Sequence, residues 1–134
     1  MARELVCTEN APIPVGPYSQ AAISGGFVCT AGQLGLDPTT GKLVGPGVEE
    51  QTERALLNLK AILEAAGSSL DMVVKVTVFL ADMSLFGAMN GVYQRFFGAA
   101  PPARTCVAVA ALPMGALVEV EAIAVKVDGQ EGSA

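Results

Sequence analysis

Two charged side chains stand in otherwise small, apolar stretches: Arg104 in PPARTCVAVAAL (101–112) and Glu119 in LVEVEAIAVKV (117–127). By the two-residue period of a strand, Arg104 shares a face with Cys106. Its planar fork can hold a carboxylate through two parallel hydrogen bonds, a geometry Lys cannot match. The competing use of that fork is a structural ion pair with Glu119 or Glu121. Glu119, opening an apolar strand, is either a solvated strand residue or a carboxyl desolvated enough to hold or share a proton. Cys106 beside a cation has the makings of a nucleophile. With no His to deprotonate it and small apolar neighbours, it reads as lining. Tyr18, in a proline-rich loop, either projects its phenol into a cleft or pins the loop on the core. Asn90, beside Phe86 and Tyr93, is a surface amide unless that face closes over a pocket.

The rest of the composition removes competitors. The 134 residues contain no His, hence no usual triad base, proton shuttle or commonest metal ligand. No G-x-S-x-G, G-x-G-x-x-G or Walker sequence occurs, so nucleotide chemistry is disfavoured, and a chain of this length needs no metal or disulfide to hold it. Thirteen acidic residues against eight basic give a net charge of −5, which offers no broad positive field for nucleic acid or anionic lipid. Three cysteines, Cys7, Cys29 and Cys106, match neither a zinc site nor a disulfide framework and point to reduced thiols in a cytoplasmic protein. The opening MARELVCTENAP lacks the apolar core of a signal peptide, and no apolar run reaches the ~18 residues of a membrane helix. A 51% hydrophobic, 16% charged chain of this length fits one domain spanning 1–134. It is also short of polar groups to cover its exterior, which favours an apolar subunit interface.

The elements that must position these residues read as follows. A first strand covers 3–6, and the three prolines of NAPIPVGPYSQ make an ordered loop. Strands over 21–24 and 27–33 are joined by Gly25-Gly26 as a hairpin, and LGLDPTTGKLVGPG is a surface loop. Ala55, Leu56, Leu59, Ile62, Leu63 and Ala66 recur at helical spacing and predict a helix over 48–66 stopped by Gly67. VVKVTVFL (73–80) is a strand with Val74, Val76, Val78 and Leu80 on one face. A second helix, capped by Asp82 or Ser84, runs to about Phe97. Strands over 104–109 and 117–127 finish the chain, the last placing Glu119, Glu121, Ile123 and Val125 on one face. Two helices should cover one face of a mixed sheet, leaving the other for another subunit.

Taken together, ENAPIPVGPYSQA, TAGQLGLDPTTGKL, VVKVTVFLADMSLFGAMNGVY and PPARTCVAVAALPMGALVEVEAIAV resemble the RidA (YjgF/YER057c/UK114) family of imine and enamine deaminases, from Thr8 to about Val125. The resemblance implies an α+β, chorismate-mutase-like fold. Two helices would cover a six-stranded mixed sheet, and a homotrimer would carry its sites between subunits. It further implies that Arg104 grips the carboxylate of 2-iminobutanoate or 2-iminopropanoate. Glu119 would orient or deprotonate a water, with the backbone carbonyl of Cys106 assisting, and would donate to the departing amine. Tyr18, Phe86 and Asn90 match pocket positions, with Phe86 over the alkyl tail, and Gly32 would let backbone approach the substrate. No cofactor is implied. One departure stands out: Ala31 replaces the Ser that precedes G-Q in many deaminase members, which predicts an altered rate or substrate preference. Rival readings are a non-catalytic trimer that binds small carboxylates, a chaperone-like role for exposed apolar patches, and the ribonuclease or translation-inhibitor role attached to this family. Acidity and the missing His count against the last.

Overall fold

The computed structural model describes residues 2–127. Strands β1 (Glu4–Val6), β2 (Ala21–Ser24) and β3 (Phe27–Thr30) open the chain. Gly25 and Gly26 join the last two at φ 60° and 83°, a region glycine enters without a Cβ clash. The strand predicted over 27–33 is interrupted. Thr30 Oγ1 takes the ladder bond from the Ala122 N–H at 3.0 Å, Ala31 and Gly32 leave the ladder, and β4 (Gln33–Leu34) resumes it. The sheet therefore has seven strands, not six.

Helix α1 (Val48–Ala65) begins where Glu50 Oε1 accepts the Gly47 N–H at 2.8 Å, satisfying one orphan donor of the first turn. It ends before Gly67, at φ 82°. Strand β5 (Val73–Leu80), helix α2 (Phe86–Phe97), strand β6 (Ala103–Ala108) and strand β7 (Val118–Val125) follow, with Asp82 capping the short turn ahead of α2. The sheet order is β1-β2-β3-β7-β5-β6, with β4 beside β7. Only the β5–β6 pair is parallel among the described strands. A parallel neighbour requires a long crossover, and α2 supplies it.

The core lies between the helices and one face of this sheet. Leu56, Leu59, Ile62 and Leu63 of α1 pack on Val28, Val76, Val78, Val118 and Val120, all fully buried. Each such side chain contributes about 1.5–3 kcal/mol in transfer free energy. Polar residues of α1 fix its position. Gln51 donates to the Gly45 carbonyl and accepts from the Leu117 N–H, both at 2.8 Å, while Asn58 donates to the carbonyls of Leu34 and Leu36. One expectation fails in β5. The register slips between Val73 and Lys75, a bulge that puts Val73 inward with Val76 and turns Val74 out. The uncovered face carries Phe27, Cys29, Val107, Ile123 and Val125, all exposed.

Candidate functional site

Arg104 stands opposite Val76 in the parallel β5–β6 register, so its side chain leaves the sheet on the helix-covered side at the β6 edge. There α2 presents Phe86, Asn90 and Tyr93 at i, i+4 and i+7, one stripe of the helix. Asn90 Oδ1 accepts from Arg104 Nη1 at 2.7 Å. The guanidinium carbon lies 4.7 Å from the Tyr93 ring centroid and 5.5 Å from that of Phe86, within cation–π range. The group is thus gripped at one nitrogen and backed by rings, and the rest of its fork remains for an acceptor. Asn90 is therefore the orienting partner of Arg104. The Tyr93 hydroxyl is buried without a partner, and burial raises its pKa against a weaker opposing pull from Arg104. Cys106, next on the same face, follows suit: burial pushes its thiol pKa up and Arg104 only partly offsets this. A raised thiol pKa lowers the thiolate fraction and so disfavours Cys106 as a nucleophile.

Glu119 belongs to the opposite face. It pairs with Phe79 of β5 and Leu34 of β4, alternating with the buried Val118 and Val120. Its carboxyl lies against Gly32, where a Cβ would sit 2.7 Å from Glu119 Cδ. The missing side chain at Gly32 thus makes room for the carboxyl of Glu119, a role the sequence reading did not assign to it. Burial raises the Glu119 pKa above the ordinary glutamate value, and the nearby Glu121 carboxylate raises it further. The carboxyl borders a cavity of about 350 Å³ whose walls include Ile13, Val15, Tyr18, Ala31, Gly32 and Met114. Tyr18, half exposed, accepts the Val15 N–H through its hydroxyl at 3.4 Å, and so both pins its loop and faces the cavity.

Sequence reasoning missed several residues of this wall, Gln20 and Met114 among them. Gln20, 1% exposed, accepts from the Thr8 N–H at 2.7 Å and donates to the carbonyls of Thr8, Pro12 and Ala11 at 3.0, 3.0 and 3.4 Å. A primary amide just after three prolines was the available signal, because such a loop has carbonyls and few neighbours to satisfy them. Met114 is the one non-glycine residue at positive φ among the described residues, at 61°. Such a backbone costs on the order of 1–2 kcal/mol and marks a place worth a functional reading.

Arg104 and Glu119 are not brought together within the chain. Strands β6 and β7 flank β5, so they run roughly 10 Å apart, and the two side chains leave opposite faces of the sheet. This geometry excludes the intrachain ion pair that the sequence left open. The eight predicted residues fall into two groups: Arg104, Asn90, Phe86 and Cys106 around α2, and Glu119, Gly32, Ala31 and Tyr18 around the cavity. Among the described residues no cluster of three His, Cys, Asp or Glu gathers to hold a metal ion, and no helix is long and apolar enough to cross a membrane.

The family model described as endoribonuclease L-PSP matches residues 8–126. The chain belongs to this family, RidA/YjgF. A RutC family protein of Pyrococcus abyssi is 53% identical over 126 residues, 94% of this chain and 99% of its own length. The 2-iminobutanoate/2-iminopropanoate deaminase of Mus musculus is 49% identical over 124 residues, 92% of either chain. The crystal structure of RidA from an Antarctic Psychrobacter superposes with a TM-score of 0.88 at 46% identity, covering 91% of this chain and 98% of that one. The RidA/YjgF fold is therefore that of this chain, with its sheet drawn as seven strands.

Proposed function

We propose that this chain hydrolyses 2-imino acids and their enamine tautomers, of the 2-iminobutanoate and 2-iminopropanoate type, to 2-oxo acids and ammonia, in sites shared between copies of a homotrimer. The observation that carries this reading is the separation of Arg104 and Glu119 onto opposite sheet faces. A substrate held by the first and attacked by a water on the second needs the β6 edge of one copy to meet the uncovered face of its neighbour. That face is apolar enough to be buried by such a contact. The name of the mouse relative supports the reaction class.

In the assembled site Arg104 takes the substrate carboxylate, its fork held by Asn90 and backed by Phe86 and Tyr93. Glu119 lies beside the imine carbon. A carboxyl with a raised pKa is able to accept a proton from the attacking water and return it to the departing amine. The imine also hydrolyses unaided, so orientation and charge stabilisation suffice, and no cofactor enters.

The test is made with imine generated in place by an amino-acid oxidase, timing 2-oxo acid release with wild type, Arg104→Ala and Glu119→Ala. Each variant alone should lose most activity. Co-assembled in equal amounts they should regain about one quarter of the wild-type rate, because in random mixing that share of shared sites draws an intact residue from each copy. No regain in mixed assemblies would refute the shared site. Equal rates with and without wild-type protein would refute the deaminase.

A further inference from the structure

The cavity beside Glu119 is larger and more apolar than a three- or four-carbon imino acid needs. At about 350 Å³ it would hold roughly ten waters at ~30 Å³ each if only a methyl or ethyl group entered. Ile13, Val15, Leu34, Leu36 and Met114 contribute hydrocarbon or thioether surface, and Ala31 offers a methyl where a hydroxyl would be polar. Of its polar side chains, the Gln20 amide is engaged by loop carbonyls, while the Tyr18 hydroxyl accepts the Val15 N–H and keeps its own O–H to donate. Met114 is held at the rim by a left-handed backbone between Pro113 and Gly115, the latter also at positive φ. An unstrained residue there would send its side chain elsewhere, and the flexible thioether adapts to an apolar guest.

We propose that this chain prefers 2-imino acids with longer apolar side chains, branched aliphatic or thioether, and that Met114 and Ile13 set the preference. This rests on the deaminase reading and specifies its substrate. The step is R–C(=NH)–COO⁻ + H₂O → R–C(=O)–COO⁻ + NH₃. Water adds to the imine carbon, the carbon–nitrogen bond breaks, the water oxygen stays on carbon as the new carbonyl, and both protons of the water leave on ammonia, with R lying in the cavity. Each methylene fully removed from water contributes about fourfold, and a wall open to solvent on one side about half that in free energy, or roughly twofold. Three further non-hydrogen atoms, all carbon in the leucine-derived chain and two carbons with a sulfur in the methionine-derived one, therefore give about a tenfold advantage.

The experiment compares kcat/KM for imines made by an L-amino-acid oxidase from alanine, leucine and methionine, after subtracting spontaneous hydrolysis. Leucine- and methionine-derived imines should be favoured about tenfold over the alanine-derived one. Met114→Gly, which suits the left-handed backbone, and Ile13→Ser, at an exposed position, should each cut that ratio at least about threefold. Acceleration of all three imines alike, a preference for the smallest, or a ratio indifferent to both substitutions would overturn the inference and leave the deaminase standing. Acceleration of none would overturn both.

Discussion

Replacing Gly32 by Ala should disable Glu119 without touching it. The new methyl would sit 2.7 Å from Glu119 Cδ, against an ordinary carbon–carbon separation near 3.5–4.0 Å, so the carboxyl must retreat by about 1 Å. A displacement of that size at a reacting group costs on the order of 10²-fold in kcat, and the crowding itself about 1–3 kcal/mol of stability. Both effects should vanish once the carboxyl is gone. In a double-mutant cycle, Gly32→Ala should lower the melting temperature by several degrees in the wild-type background and change it little in Glu119→Ala. The thermal half of the cycle is readable even where residual turnover approaches the uncatalysed rate. Wild-type kcat in the single variant, or stability losses that simply add, would refute the idea that Gly32 exists to seat Glu119.

Two further outcomes follow from the site. Because the folded-state pKa of Glu119 is raised, the protonated carboxyl favours the folded state below the ordinary glutamate value, and that advantage is lost as pH rises through the folded value. Glu119→Gln should therefore melt higher than wild type at pH 7, with the gap closing toward pH 4; a gap that widens on acidification would contradict the sign. Asn90→Ala removes the 2.7 Å brace on Arg104 and leaves the guanidinium free to turn. A charge-assisted bond of about 1.5–3 kcal/mol predicts a KM raised on the order of tenfold, with kcat changed less. An effect on kcat alone would argue against a binding role for Arg104.

Helices and strands were legible because their hydrophobic periods are strong. The apolar stripe of α1 and the alternation of Val118, Val120 and Ala122 dictated which faces are buried. What escaped was aperiodic. The bulge at Val74 breaks a two-residue pattern without changing composition, so VVKVTVFL reads as regular until its register with β7 is known. The gap at Ala31 and Gly32 depends on Glu119, almost ninety positions away, and no local preference encodes such a contact. The site residues were identifiable by type, but their division between two sheet faces is a matter of strand order. Arg104 and Glu119 look like neighbours on consecutive strands, yet β5 lies between them.

Gln20 grips the proline-rich segment wholly through main-chain atoms: the Thr8 amide and the carbonyls of Thr8, Ala11 and Pro12. Such a clasp is blind to which side chains the segment bears. Positions 13 and 15 are therefore open to replacement while Tyr18 keeps its place, so a change of diet would demand no rebuilding of the scaffold.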